Sequence, residues 1–319
     1  MKKRTFLKSM ALPLGLQGLD SFAQDNAGRP IRIVVPLPAG SGNDFVARVI
    51  GPHASQFLGQ PIIVDNKPGA NGVIGAMEVV RAAPDGLTLL CATNSHLATN
   101  VSFVKNLPYD PLRDFTPIAG AVTVAQMLIV SATSPYRTFS EFLAYAKQNP
   151  GKVAVSYSTS VVQLQFLTMA KMAGIELLLV PYKSNAAAMP DMLSGLIHGS
   201  LDTPGSALPH VQAGKIRVLA SMSKRAPFFP DVPAASEFLP GFDFPLWNGF
   251  VGPAGMPRAQ VMRLNAAIVR AQRQADVAQK FHDAGSPAWI VTPDEMKAVI
   301  EAEIPRYQRL SKSVGIEPA

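Results

Sequence analysis

The stretch Ile31-Arg-Ile-Val-Val-Pro-Leu-Pro-Ala-Gly-Ser-Gly-Asn-Asp-Phe-Val-Ala-Arg-Val-Ile-Gly51 is the part of this chain best equipped for chemistry. Its apolar start reads as a strand, its middle as a loop of small residues, and its end as the opening of a helix. Such a loop leaves backbone N–H groups unpaired and aimed at one spot. With the helix dipole they make a seat for an oxyanion that needs no cationic side chain. The expectation is an anion binder before a catalyst.

Few other residues offer a reacting group in a recognisable setting. No Gly-x-Ser-x-Gly elbow, His-Glu-x-x-His or Walker loop occurs. Ser221-Met-Ser-Lys224 fits the bare Ser-x-x-Lys pattern of penicillin-recognising enzymes, but neither Ser-Asp-Asn nor Lys-Thr-Gly follows, and chance is the better account. Gly40-Ser-Gly42-Asn-Asp-Phe45 starts like a dinucleotide fingerprint and then places Phe where the third glycine must stand, which argues against nicotinamide or flavin. His53, His96, His198, His210 and His282 show no metal-ligand spacing, and Cys91, the only cysteine, lies in an apolar run as a small buried residue does. No cofactor and no metal are expected.

An alternating pattern of elements must position the loop. Apolar runs at 31–35, 62–64, 88–92, 127–130, 153–157, 177–180, 199–202, 216–221 and 249–252 read as strands. Residues 44–58, 73–82, 139–148, 162–173, 186–193 and 207–212 read as helices between them, and the tail as three more at 258–272, 276–284 and 292–310. This alternation predicts an α/β protein with largely parallel sheets. With 319 residues, 48% hydrophobic and 16% charged, the chain is long enough for two domains and is not disordered in bulk. No Pro/Gly/Ser linker divides it, so two domains would require the backbone to cross between them more than once.

Lys3, Arg4 and Lys8 precede the apolar run Met10-Ala-Leu-Pro-Leu-Gly-Leu16, and Ser21-Phe-Ala23 offers the small residues a signal peptidase reads. Residues 1–23 are therefore read as an export signal. Lys3-Arg-Thr-Phe-Leu-Lys8 looks like a twin-arginine motif with Lys in place of the first Arg, with the Sec route as the alternative. The signal carries Lys2, Lys3, Arg4 and Lys8 against Asp20, so its removal takes the formal +7 to about +4. That mild, scattered basicity gives no nucleic-acid patch and favours an anionic small ligand or partner surface. No later segment approaches the roughly 18 apolar residues of a membrane span. Cys91 lies far from the signal, which leaves neither a lipid-anchor cysteine nor an intramolecular disulfide. The expected location is the periplasm, with no membrane insertion after cleavage.

Several signals, in a fixed order over nearly all of the chain, resemble one family. They are Gly59-Gln-Pro-Ile-Ile-Val-Asp-Asn-Lys-Pro-Gly-Ala-Asn-Gly-Val-Ile-Gly75, Ala83-Pro-Asp-Gly-Leu-Thr-Leu-Leu90, Leu107-Pro-Tyr-Asp-Pro111 with Asp114-Phe115, Val180-Pro-Tyr-Lys183 and Ala213-Gly-Lys-Ile-Arg-Val-Leu-Ala220. Lys224-Arg225, Pro230-Asp-Val-Pro233, and Trp247 with Gly252-Pro-Ala-Gly255 complete the set. The family is the substrate-binding receptors of tripartite tricarboxylate transporters, the Bug receptors. The resemblance implies a type II periplasmic binding protein, two α/β lobes joined by crossing strands with a ligand cleft between them. Lobe 1 would be 28–122 plus 248–319 and lobe 2 would be 123–247, with crossings near 121–130 and 247–253. Hinge closure around a ligand goes with that architecture.

The resemblance further implies a carboxylate held between two facing loops by backbone amides, hydroxyls and bridging waters. The first loop is Pro38, Ala39, Gly40, Ser41, Gly42, Asn43 and Asp44, in which Ser41 and Asn43 add side-chain donors. Asp44 reads better as a helix cap paired with Arg48 than as a ligand contact. The second loop is Ser156, Tyr157, Ser158, Thr159 and Ser160, hydroxyls that without the resemblance would be simple caps. Thr93, Asn94, Ser95 and His96 reach the same rim, and Tyr182, Ser184, Asn185, Asp202 and Thr203 line the other side. Asp202 is the specificity candidate, welcoming an ammonium or hydroxyl, or else a cap of the turn before Pro204.

The chain departs from the family's double glycine in the first loop with Ala39-Gly40, has no glycine from Ser156 to Val161, and carries Ser184 after Pro-Tyr-Lys. Side chains then fill space that is otherwise backbone, so the pocket is altered in size or hydration. The expected function is an extracytoplasmic solute receptor delivering a small carboxylate to membrane transporter subunits, or to a sensor. A periplasmic enzyme acting on a carboxylic acid in the same cleft is the alternative from another class.

Overall fold

The computed structural model describes residues 28–317, and the expected export signal at 1–23 lies outside them. In chain order the first elements are β1 (Ile31–Val35), α1 (Gly42–Leu58), β2 (Ile62–Asn66), α2 (Val73–Val80) and β3 (Thr88–Thr93). A π-helical turn (Ser95–Thr99) runs into α3 (Asn100–Phe103), and β4 (Phe115–Val124) and β5 (Met127–Ser131) follow. Then come α4 (Phe139–Gln148), β6 (Val153–Tyr157), α5 (Ser160–Ala173), β7 (Leu177–Pro181), α6 (Asn185–Leu193), β8 (Gly199–Asp202), α7 (Pro204–Gln212) and β9 (Ile216–Ser221). β10 (Leu246–Pro253), α8 (Arg258–Gln272), α9 (Ala275–Asp283) and α10 (Pro293–Ser313) close the chain.

The strands form two five-stranded sheets, ordered β2-β1-β3-β10-β4 and β7-β6-β8-β5-β9. In each, four strands run in one direction, three of them adjacent and paired in parallel, and one strand is antiparallel to both its neighbours. That strand is β10 in the first sheet and β5 in the second. Only Ala125 and Gln126 separate β4 of the first sheet from β5 of the second, and Leu246 of β10 pairs with Val124 where the chain returns.

The sequence pattern predicts no strand of its own at 115–124, and the structure explains the omission. Pro117 and Gly120 interrupt the apolar run, yet β4 is an edge strand, where proline is tolerated. Gly120 is needed because a Cβ there would sit 2.4 Å from the Trp289 carbonyl. The 287–289 segment covers this edge: Thr123 donates to Pro287 O and Trp289 to Ala121 O, at 3.0 and 2.9 Å.

Separate cores lie on the faces of the two sheets. Val35, Ile50, Phe250 and Phe281 belong to one around the first sheet, and Phe142, Val155, Phe166 and Phe244 to one around the second. Tyr307 of α10 is buried in the latter although its helix also covers β4, so the last helix spans both halves. Among the described residues no helix is long and apolar enough to cross a membrane.

Candidate functional site

A cavity of about 680 Å³ opens between the two sheets, at the ends of their parallel strands. Pro38, Ala39, Gly40, Ser41 and Asn43 line it from the first loop, Thr93, Asn94 and Ser95 from the end of β3, and Ser158, Thr159, Ser184, Asp202 and Thr203 from the other side. Asp44, Ser156, Ser160 and Tyr182 stand off its wall. The Asp44 carboxylate accepts from the Gly40 amide and Arg48, Ser156 donates to Ser200, Ser160 to Asn100 and Tyr182 to Asp191. Alternation along β6 accounts for Ser156, whose side chain lies on a buried face of the sheet beside its register partner Ser200 of β8.

The first loop is organised by its own side chains. Burial favours neutral Asp44, but Arg48, the Gly40 amide and Asn66 outweigh it and hold the carboxyl below its usual range. Gly40 itself adopts φ +80, which its missing Cβ permits. Ser41 caps α1 by accepting from the Asp44 amide, and the Asn43 side chain, expected as a ligand donor, is occupied by Cys91 O and Asn248 at 2.8 Å each. What α1 presents to the cavity is thus its first-turn backbone at Gly42 and Asn43, the orphan amides of a helix start.

The opposing helix starts differ among themselves. Ser184 caps α6 and Thr203 caps α7 with side-chain oxygens, whereas Thr159 before α5 makes no capping bond. The first turn of α5 therefore keeps its amides, and Val161 and Val162 bring it to the cavity wall. The Ser158 hydroxyl is spent on Asn185 at 3.0 Å. A third unspent group lies on the other side: Ser95 Oγ, buried at 2% exposure, has no hydrogen-bond partner among the described residues.

Asp202 makes the bonds of a cap at the start of α7. Its oxygens accept from the Thr203 amide at 2.8 Å and Ser206 Oγ at 2.9 Å, and it also faces the cavity. Burial pushes its pKa up despite those donors. His96 is turned away: Nδ1 accepts from the Thr93 amide at 3.1 Å, and burial brings its pKa down to about 4, so it stands neutral.

Sequence reasoning missed Gln126, Val122, Val124, Leu246, Asn248 and Ser286 in the wall, and placed Trp247 and Lys183 only among the family signals. Gln126 sits in the two-residue connection between the sheets, where no local pattern marks it. Its Oε1 accepts from Gln165 at 3.0 Å, which leaves its NH2 for the cavity. Lys183 and Lys280 stand in the lining, and the Lys280 ammonium lies 3.2 Å from Asp276.

Two α/β halves, each with one antiparallel crossing strand, and a hydrogen-bonding cavity between them define a periplasmic binding protein of type II topology. The profile described as tripartite tricarboxylate transporter family receptor matches residues 46–316, and the chain belongs to that family. Protein BugT of Bordetella pertussis is 31% identical over 292 residues, 90% of each chain. A Rhodopseudomonas palustris protein solved with adipate is 30% identical with a TM-score of 0.86, over 91% of this chain and 99% of that one. MatC from Rhodopseudomonas palustris, solved with bound malate, is 31% identical with a TM-score of 0.83, over 88% and 98%.

Proposed function

We propose that this protein is an extracytoplasmic solute receptor that takes a small carboxylate-bearing metabolite into the cavity and passes it to the membrane subunits of a tripartite tricarboxylate-type transporter. The observation that carries this reading is the pairing of two helix starts across the cavity. The amides of α1 and the uncapped start of α5 border the cavity from opposite sides, a donor set suited to a carboxylate. Adipate and malate in the two relatives agree with it.

Each helix start contributes at most about 2 kcal/mol toward an anion. Two together give about 4 kcal/mol, roughly millimolar binding. Tighter binding needs apolar burial at about 25 cal/mol per Å², which Val122, Val124, Val161, Val162, Leu246 and Trp247 offer when the halves close. Lobe 1 is taken as 28–122 plus 248–319 and lobe 2 as 123–247, with motion at Ala125–Gln126 and before β10. Residues 1–23 direct export to the periplasm by the Sec or twin-arginine route, and no bond of the ligand is made or broken.

The test is a thermal-shift screen of refolded, ligand-free protein against mono-, di- and tricarboxylates, amino acids and aromatic acids, with mass spectrometry of each mixture. Saturable stabilisation by an acid recovered unchanged is expected. Turnover of any acid would establish the enzyme alternative, and stabilisation by none would end the carboxylate reading.

A further inference from the structure

Behind the cavity wall lies a carboxylate that the binding reading does not use. Glu303 of α10 is 7% exposed. Its oxygens accept from Asn94 Nδ2 at 2.9 and 3.2 Å and from Trp247 Nε1 at 3.0 Å. Asn94 Oδ1 in turn accepts from the Trp247 amide at 3.0 Å. Asn94 and Trp247 both line the cavity, so a residue just past β3 and one in β10 are clamped to each other and to one side chain of the last helix.

We propose that Glu303 is the positioning residue that fixes Asn94 and Trp247 in the wall, and that it couples an anion in the cavity to uptake of a proton from solvent. This rests on the carboxylate reading above. No cation stands within ion-pair distance of this carboxylate among the described residues. Arg306, one turn on, donates to Asp243 O and stacks over Phe244 and Tyr307. A buried, unpaired negative charge behind the wall repels a second one seated on the cavity side, because little water screens the pair.

The other ionisable groups on and against α10 do not take over that role. Tyr307 keeps its proton, as burial and the nearby Glu303 both push its pKa up. His96, on the π-helical turn packed against α10, is neutral. Lys171 of α5 reaches Ser313 O at the far end of the helix. Burial pushes the Glu303 pKa up to about 7 against the pull of Asn94, Trp247 and Arg306, so its proton is exchangeable near neutral pH. An anion in the cavity raises it further. By linkage, anion affinity falls as pH rises through about 7, and binding there takes up a fraction of a proton.

Two measurements on the whole protein test this. In ligand-free protein, tryptophan fluorescence between pH 5.5 and 8.5 is expected to show a midpoint near 7 that is absent in Glu303→Gln. Calorimetry with adipate and malate at pH 6.5, 7.5 and 8.5, in phosphate and in Tris, is expected to show proton uptake and affinity weakening three- to tenfold with pH, both abolished by Glu303→Gln. A midpoint or pH slope that survives in Glu303→Gln overturns the proposal. So does wild-type binding without proton uptake, a result that stands even if the variant does not fold. Failure of both acids to bind wild type overturns the coupling together with the carboxylate reading, while the ligand-free fluorescence still decides whether Glu303 titrates.

Discussion

The backbone N–H of Gly205 donates to the carbonyl of Ala284 at 3.1 Å, joining the first turn of α7 to the end of α9. α7 follows β8 of the second sheet, whereas α9 packs on α1 beside the first, with Phe281 edge-on to Phe45. The bond therefore crosses the cavity rim and splices the positive start of one helix to the negative end of another. A Cβ on Gly205 would stand 2.5 Å from Ala284 Cα, and one on Gly285 2.5 Å from Pro204 Cβ.

Gly205→Val should accordingly hold the halves apart. Ligand-free melting is expected to change little, because the contact is lost whenever the halves separate. Affinity for a stabilising acid should fall at least tenfold, about 1.4 kcal/mol, and small-angle scattering with that acid is expected to show compaction in wild type and none in the variant.

Ser95→Ala separates ligand binding from folding. The hydroxyl has no protein partner among the described residues, so its removal should leave stability within about 0.5 kcal/mol by chemical denaturation. A hydrogen bond to a charged group is worth about 1.5–3 kcal/mol, so affinity for a carboxylate should drop tenfold or more. An unchanged dissociation constant would place the carboxylate elsewhere.

Asp202→Asn keeps acceptors for Thr203 and Ser206 only in part, since one carboxylate oxygen becomes a donor. Amine-bearing acids are expected to weaken about tenfold, the order of one charge-assisted hydrogen bond, while amine-free acids hold or improve. Equal, unchanged affinities for both kinds would remove Asp202 from specificity.

Glu303 also predicts a slope in stability against pH. Its folded pKa of about 7 lies above the roughly 4.3 of an unfolded glutamate, so the folded chain holds more protons between those values. The contribution is complete below the unfolded value and is lost as pH rises through about 7, by about 4 kcal/mol at most. Urea denaturation at pH 5 and 8 should show that loss in wild type and a flatter profile in Glu303→Gln.

The strand, small-residue loop and helix at 31–58 were legible because their signals are local, and so were most of the other elements. β4 was not, because a strand that carries Pro117 and Gly120 is tolerated only at an edge that a distant segment covers. Within the cavity, sequence placed the loops but not the allegiance of their side chains. Asn43 and Ser158 look like ligand donors in the chain, whereas in the fold Asn43 donates to Cys91 O and accepts from Asn248, and Ser158 donates to Asn185. Glu303 and Trp247 are 56 residues apart and meet only because α10 packs behind β10, a pairing that no local periodicity encodes.

Cys91 lies fully buried in β3, its sulfur 3.6 Å from the Asn43 carbonyl, and burial pushes its thiol pKa up. With no other thiol in the chain, chemical labelling starts from a silent background. A cysteine engineered on either rim would be the one site a maleimide dye reaches, so the native scaffold lends itself to a single-fluorophore reporter of opening and closing without first stripping any residue out.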